Sequence, residues 1–405
     1  MKRIGIYGGT FAPPHLGHLN AARAFRDALE LDEVLIIPSC IPPHKAKKFD
    51  YSDSERLHMC NLAFGNDKAF TVSDMEIQDG GISYTYLTVR KLKREDNELY
   101  LLIGTDMLLS FDTWNNFQEI VSACTLCYVR RENDSSFDNA VKGKIKELTE
   151  KYSAEILPIS LCPTVISSTE IRMLLAKGED AAQYLPSEVN NFLLGRQARL
   201  DRELDALRER IRPYMSEKRY IHTLGVENAA AKLAEDILPG LKHELRCAAL
   251  LHDIAKELPS KEQYSLALKS PFPVEKVAFD TEPALHSFAA PALILRDFAE
   301  YSSDRILSSV FKHTLGDGEM SVFDTVIFVA DYIEQGRKYP SSILVREFLF
   351  NSLGKSRSDR EKINALYKSA ILCINETEKH LKLRGNVMNS ISIIAKKAFE
   401  EKILQ

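Results

Sequence analysis

The strongest constraint in this sequence is a change of rhythm close to residue 196. Before it, short apolar runs alternate with amphipathic ones. RIGIYGG, EVLIIPS, ELYLLIGTD, CTLCYVRR and AEILPISL have the length and character of strands, whereas HLNAARAFRDALEL, SERLHMCNLAF, the run opening at FQEIVSAC and STEIRMLLAKG carry the helical period. Strands separated by helices build a parallel sheet covered on both faces. Such a sheet binds its ligands at the carboxyl ends of its strands. After residue 198 the strands stop. RLDRELDALRERIRPYM, ELRCAALLHDIAKEL, PALHSFAAPALILRDF, SDRILSSVFKHT and SVFDTVIFVADYIEQ all read as helices, and helical patterns continue past residue 355. The expected fold is an α/β, Rossmann-like domain with a parallel sheet over 1–196, followed by an all-α domain over 197–405. A chain of 405 residues also exceeds what one hydrophobic core usually serves.

The bulk properties narrow the partners. A net charge of −4 is unlike that of a basic nucleic-acid binder, so no nucleic-acid partner is expected. No apolar run is long enough to span a bilayer, and MKRIGIYGG lacks the apolar stretch and small-residue cleavage site of a secretory leader. The seven cysteines are scattered and odd in number, which argues against a disulfide framework and for a reducing, cytoplasmic setting. Cys124 and Cys127 form a CxxC, but ACTLCYVRR reads as a buried strand, so both are expected to pack in the core.

The chemistry of the first half starts at GGTFAPPHLGH, residues 8–18. Gly8 and Gly9 permit a tight turn and close approach of backbone to a ligand. Pro13 and Pro14 forbid a helix until they are passed. A helix opening near His15 presents unpartnered N–H groups and a positive dipole end, which suits an anion. His15 and His18 share one face of its first turn. A late ISSTEIR run, residues 166–172, opens another helix, with Ser167, Ser168 and Thr169 as capping or phosphate-binding hydroxyls and Arg172 as a bidentate cation.

These two motifs together resemble the HxGH nucleotidyltransferase superfamily, and residues 1–195 resemble bacterial nicotinate-nucleotide adenylyltransferases. The supporting segments are IPSCIPPHK, SYTYLTV, LLIGTDMLLSFDTW and YVRR. Phosphopantetheine adenylyltransferases and glycerol-phosphate cytidylyltransferases share HxGH but are not expected to carry the IPPHK and GTDM…W pair. The resemblance implies transfer of the adenylyl group of ATP to nicotinate mononucleotide with Mg²⁺. It places ATP on Gly8, Gly9, Thr10, Phe11, His15, His18, Gly104, Asp106, Ser167, Ser168, Thr169 and Arg172, with His15, His18 and Arg172 catalytic. It assigns nicotinate mononucleotide to Lys45, Thr85 and Trp114, and a late arginine to Arg130 or Arg131. The chain departs from the family pattern at Ala12, where an acidic or amide residue is usual, and at Leu87, where aspartate is usual.

The helical half carries a second constellation: His222, the pair His252 and Asp253, then His286, His313 and Asp331, in the order H…HD…H…H…D. Several sit inside apolar runs, where an ionised aspartate is costly unless it is paired or binds metal. Imidazole and carboxylate together suit Fe, Mn, Co or Zn. A metal held there would lower the pKa of bound water and supply a nucleophile toward phosphate. Lys256, one turn after His252, is placed to meet phosphate oxygens.

The pattern resembles the HD-domain phosphohydrolases. RYIHTLGV, LLHDIAK, ALH, KHTLG and VADYIEQGR, over roughly 203–385, resemble the bacterial symmetrical diadenosine-tetraphosphate hydrolases. The resemblance implies metal on His222, His252, Asp253 and Asp331, namely Fe²⁺/Fe³⁺ or Mn²⁺. It implies a second metal or the polyphosphate on His286, His313 and Thr314, a catalytic role for Lys256, and hydrolysis of diadenosine tetraphosphate to two ADP. Leu315 stands where that family has threonine. The alternatives are a different nucleotide phosphohydrolase and a nucleotide-sensing module without activity.

Overall fold

The computed structural model describes residues 1–42, 51–130, 138–161, 166–274 and 282–404. Packing divides the chain into two compact units, Met1–Arg196 and Gln197–Gln405. The helix Ser187–Ile211 runs through the point of division.

The first unit is built on a six-stranded sheet: β1 Lys2–Gly9, β2 Glu33–Pro38, β3 Phe70–Val72, β4 Asn97–Gly104, β5 Cys124–Val129 and β6 Ile156–Ile159. Their order is β3-β2-β1-β4-β5-β6 and every pairing is parallel. β2 and β4 are apolar along nearly their whole length because both faces of the sheet are covered. The two-residue period sorts their side chains between two cores. Tyr7, Ile36, Tyr100 and Leu102 face one, with Phe25 and Phe64 from flanking helices. Ile6, Leu35, Ile37, Leu101 and Ile103 face the other. Strand order reverses at β1, which lies between β2 and β4. The carboxyl ends of β1 and β4 therefore form the crevice where a doubly wound sheet takes its ligand. Cys124 and Cys127 are buried free thiols in β5, as the sequence suggested.

β3 is only three residues long and the sequence reading passed over it. It also passed over the helices Thr85–Leu92 and Asp138–Tyr152, in each of which only two residues are buried.

The second unit consists of helices around one core. The helix Val322–Ile333 is its axis: Phe323 through Ala330 are all buried. Glu217–Ile237, Lys242–Leu251, Asp304–Lys312 and Asp359–Leu383 pack against it, and Leu285–Asp297 packs on Asp304–Lys312; together they contribute Val226, Leu250, Val310, Leu366 and Leu293 to the same core. One expectation needs correction. ELRCAALLHDIAKEL is not a continuous helix. It ends at Leu251, His252 is its cap, and residues 252–257 are turns. The apolar period carries on through Ile254 and Ala255 because the turn is buried too, so hydrophobic pattern alone does not reveal the break.

Gly5 in β1 is a packing requirement. A β-carbon there would stand 2.6 Å from Phe25 and 2.7 Å from Leu31. Gly5→Ala should therefore destabilise the first unit by about 1–3 kcal/mol. Urea unfolding followed by the fluorescence of Trp114, the only tryptophan, reads this directly. An unchanged midpoint would show that the helix Leu16–Leu29 yields without cost.

Candidate active sites

In the first unit, β1 delivers the chain to a buried, tightly bonded loop. Phe11 adopts φ +47 and is fully buried. Its ring meets Tyr7, His18 and Phe64 edge-on, at 5.5, 5.1 and 6.1 Å. A β-carbon on Gly9 would lie 3.1 Å from that ring, so any larger residue would press the ring aside. The helix Leu16–Leu29 follows, with His15 as its cap. His15 Nδ1 accepts from the Gly17 N–H at 3.1 Å, and His18 Nδ1 accepts from the His15 N–H at 3.2 Å. A ring nitrogen that accepts carries no proton, so both neutral imidazoles hold theirs on Nε2. Both are thereby fixed as Nε2–H donors. The first turn of this helix contains no acidic residue, so the positive end of its dipole is not offset.

ISSTEIR folds back onto this loop. Ser167 and Glu170 form a reciprocal capping box, so the structural and functional readings of this motif coexist. Ser168 Oγ donates to the Pro13 carbonyl at 2.9 Å, and Arg172 donates to the Ala12 carbonyl at 2.6 Å and to Thr169 Oγ1 at 3.0 Å. The two motifs, far apart in sequence, thus meet. Ala12 itself is buried among Met59, Ile171 and Val189, an apolar place for a position usually polar in the family it resembles.

Gly104 ends β4 and precedes the short helix Thr105–Leu109, with Asp106 exposed in its first turn. This places GTD at the strand end next to GGTF. Thr85 opens the helix Thr85–Leu92. Trp114 is half-buried against Phe111 at 5.1 Å, and its Nε1–H is buried without a hydrogen-bond partner. Arg130 pairs with Asp138 at 2.9 Å. Lys45 and Arg131 lie outside the described residues. Leu87 is exposed, as are Ile41 and Ile82.

The sequence reading missed Arg56. It is 1% exposed and donates to Thr10 O at 2.8 Å, Ser39 O at 2.5 Å and Asp53 Oδ1 at 2.9 Å. It ties the ends of β1 and β2 to the start of the helix Asp53–Phe64. The signal in sequence is slight: an arginine on the apolar side of SERLHMCNLAF.

In the second unit, the five expected segments converge. His222 Nε2 lies 3.0 Å from Asp331 Oδ1 and 3.9 Å from Asp253 Oδ2. His252 Nε2 lies 3.5 Å from Asp253 Oδ2 and 3.9 Å from Asp331 Oδ1. His286 and His313 approach the other oxygen, Asp253 Oδ1, at 3.0 and 3.5 Å. Two sets, His222–His252–Asp331 and His252–Asp253–His313, each bring their donor atoms within 4.8 Å of one another. Burial alone would raise the carboxyl of Asp253, but the neighbouring His252, His286 and His313 hold it well below the usual range.

The fit to a metal can be tested on the far ring nitrogens. His252 Nδ1 donates to Ala249 O at 2.6 Å, His313 Nδ1 to Val310 O at 2.7 Å, and His222 Nδ1 to the buried carboxylate of Glu334 at 3.3 Å. A metal ligand must be the neutral imidazole, and in that form each of these rings has its Nε2 lone pair turned toward the aspartates, the second-shell arrangement of metal-binding histidines. His252 Nε2 is buried with no hydrogen-bond partner at all. The residues fit a divalent metal. His286 differs. Lys256 Nζ lies 3.0 Å from its Nδ1 and donates to Pro283 O. An ammonium only donates, so His286 Nδ1 accepts and its proton points from Nε2 to Asp253. Burial pushes the His286 imidazole down to about 4, so this ring is neutral at pH 7. Thr314 Oγ1 lies 3.3 Å from His286 Nε2 and 3.0 Å from His313 Nε2. Glu334, Arg219 and Arg337 were not anticipated from the sequence.

These two sites define a class: a nucleotidyltransferase unit joined to an HD unit. Residues 6–174 match the cytidylyltransferase-like family, and residues 219–336 match the HD domain family. More narrowly, the chain belongs, through its first half, to the nicotinate-nucleotide adenylyltransferase family. It is 35% identical over 190 residues to a probable nicotinate-nucleotide adenylyltransferase of Clostridium novyi (strain NT), which spans 46% of this chain and 94% of the relative. It is 37% identical over 189 residues to one from Clostridium botulinum (strain Eklund 17B / Type B), covering 47% and 94%. Among solved structures, that of a predicted HD superfamily hydrolase involved in NAD metabolism from Clostridium acetobutylicum aligns with a TM-score of 0.42 and 24% identity, over 49% of this chain and 97% of the other.

Arg56 provides a test of how the first site is held. Arg56→Met strips at least three hydrogen bonds from a fully buried guanidinium and leaves Asp53 without this partner. It should destabilise the first unit by about 3–5 kcal/mol, read as a fall in the thermal midpoint. A shift of a degree or less would reduce Arg56 to a spectator.

Proposed function

We propose that the first unit transfers the adenylyl group of ATP to nicotinate mononucleotide, giving deamido-NAD and pyrophosphate. The observation that carries this is the pair of Nε2–H donors at the start of the helix Leu16–Leu29, in a chain whose relatives bear that name. A phosphate oxygen of the mononucleotide attacks the α-phosphorus of ATP. A new P–O bond forms as the bond from the α-phosphorus to the β-bridging oxygen breaks, and pyrophosphate leaves. His15 and His18 donate to the charge that develops on the phosphoryl oxygens, and the helix dipole adds to this in a site that costs no reorganisation. Arg172, anchored on Ala12 O, supports the departing phosphates. Bound Mg²⁺ would supply charge neutralisation on the polyphosphate. Gly104 and Asp106 contribute the nucleotide-facing edge of β4. Thr85 and Trp114, with Lys45, receive the pyridine nucleotide, Trp114 by stacking.

The second unit we assign as a metal-dependent phosphohydrolase acting on diadenosine tetraphosphate to give two ADP. What supports it is the set of three histidines whose Nε2 lone pairs surround Asp253 and Asp331. His222, His252, Asp253 and Asp331 would hold the ion, Fe²⁺/Fe³⁺ or Mn²⁺. When bound, such an ion activates water and offsets phosphate charge. Glu334 fixes the orientation of His222, Ala249 O that of His252, and Val310 O that of His313. Lys256 and Thr314 provide donors on the side of Asp253 away from His222. Among the described residues, no helix is long and apolar enough to cross a membrane, and both substrates are small nucleotides.

Two variants test the assignments separately. His18→Ala should lower kcat for adenylyl transfer by about 10²- to 10³-fold and leave diadenosine-tetraphosphate hydrolysis intact; undiminished turnover would remove His18 from the mechanism. Asp253→Asn should reverse the pattern. Metal content measured by mass spectrometry falls and the hydrolase activity vanishes, while deamido-NAD formation continues. With wild-type protein loaded with Mn²⁺ in the absence of oxygen, chromatography should show ADP as the single product. Mixed AMP and ATP would instead mean asymmetric cleavage.

A further inference from the structure

Two arginines in the second unit have no role in the account above. Arg219, in the first turn of the helix Glu217–Ile237, donates Nη1 to Asp253 Oδ2 at 2.7 Å. Arg337 donates Nη2 to Asp331 Oδ1 at 2.5 Å. Each guanidinium therefore occupies one of the two carboxylates that the metal requires, on the very oxygens that face His222 and His252. The Nε–H of each is buried and has no hydrogen-bond partner. Both side chains nevertheless keep contact with solvent, 28% exposed for Arg219 and 30% for Arg337. The carbonyl of Arg337 is fixed by Arg346, which also bonds Ile333 O and Glu334 O.

We infer that Arg219 and Arg337 serve two partners: each pairs with one of the two aspartates, and each turns to the phosphates of a nucleotide when a divalent ion takes that carboxylate. This rests on the reading of the second unit as a metal-dependent phosphohydrolase. The reason is electrostatic. A divalent cation on Asp253 and Asp331 takes over the negative charge that attracts the guanidiniums, and at such separations two cations repel strongly in a partly buried site. The released guanidinium has five N–H donors in a planar fork that matches a phosphate edge. A lysine offers no such fork. The arginines come from different segments and pair with different carboxylates, so they can grip two separate phosphate groups. The ligand class that satisfies both is a nucleoside chain of at least two consecutive phosphates, with ADP as the smallest member.

The test uses full-length protein carrying His18→Ala and Arg172→Ala, which disables the first site so that nucleotide binding reports on the second. Mn²⁺ uptake and ADP affinity are measured by calorimetry, with and without Mn²⁺. Arg219→Gln and Arg337→Gln, each added to this background, should keep their Mn²⁺ and weaken Mn²⁺-dependent ADP binding by tenfold or more. Arg219→Lys and Arg337→Lys should recover only part of it, and thermal melts confirm that all variants are folded. Unaltered ADP affinity in the Gln variants overturns the proposal. So does loss of Mn²⁺ from them, because the arginines would then be props for the ligand carboxylates. If the background protein itself takes up no Mn²⁺, the hydrolase reading falls and the proposal falls with it. If it takes up Mn²⁺ and binds ADP while the arginine variants behave as their parent, the hydrolase reading stands and only the exchange is wrong.

Discussion

The chemistry of this protein depends on which nitrogen of each imidazole the backbone claims. In the first unit the backbone offers N–H groups, and Nδ1 of His15 and of His18 accepts them. In the second it offers carbonyls, and Nδ1 of His252 and of His313 donates to them. The same side chain thus presents Nε2–H in one place and an Nε2 lone pair in the other. A proton there suits an anion such as phosphate. A lone pair suits a metal ion. Neither outcome is a property of histidine; each follows from whether the ring sits at the opening of a helix, where N–H groups lack partners, or at its close, where carbonyls do. His15 caps the start of Leu16–Leu29, and His252 and His313 cap the ends of Lys242–Leu251 and Asp304–Lys312.

This explains what the sequence could and could not disclose. The parallel sheet was legible because covered strands must be apolar throughout, and EVLIIPS and ELYLLIGTD are. The start of the first helix was legible because two prolines exclude any earlier one. The His–Asp series was legible because charged and polar groups in apolar runs need a reason. By contrast, the break after Leu251 leaves no mark, since a buried turn is as apolar as a buried helix. Arg56 is hidden for a related reason: its acceptors are backbone carbonyls of Thr10 and Ser39, and a carbonyl has no identity in sequence. Glu334, Arg219 and Arg337 could be found only by proximity in space, because they lie next to motif residues without belonging to the motif's spacing.

The departures noted in the sequence also take on a physical meaning. Ala12 is packed in an apolar cluster and its carbonyl is bonded by Arg172, so the backbone at this position is held from ISSTEIR rather than by its own side chain. Leu87 lies on the exposed side of Thr85–Leu92, where its change from the usual aspartate disturbs no core.

The second site shows how a cluster of buried carboxylates is balanced within a folded chain. Asp253 is almost fully buried, and an isolated carboxylate there would cost several kcal/mol. His252, His286 and His313 lower the carboxyl of Asp253, and Arg219 and Arg337 place fixed positive charge against Asp253 and Asp331 from the solvent-accessible side. A lysine would meet the same need for charge, yet Lys256 is committed to Pro283 O and His286. The two guanidiniums therefore keep the ligand set ionised and assembled, at the edge from which a phosphate chain would approach.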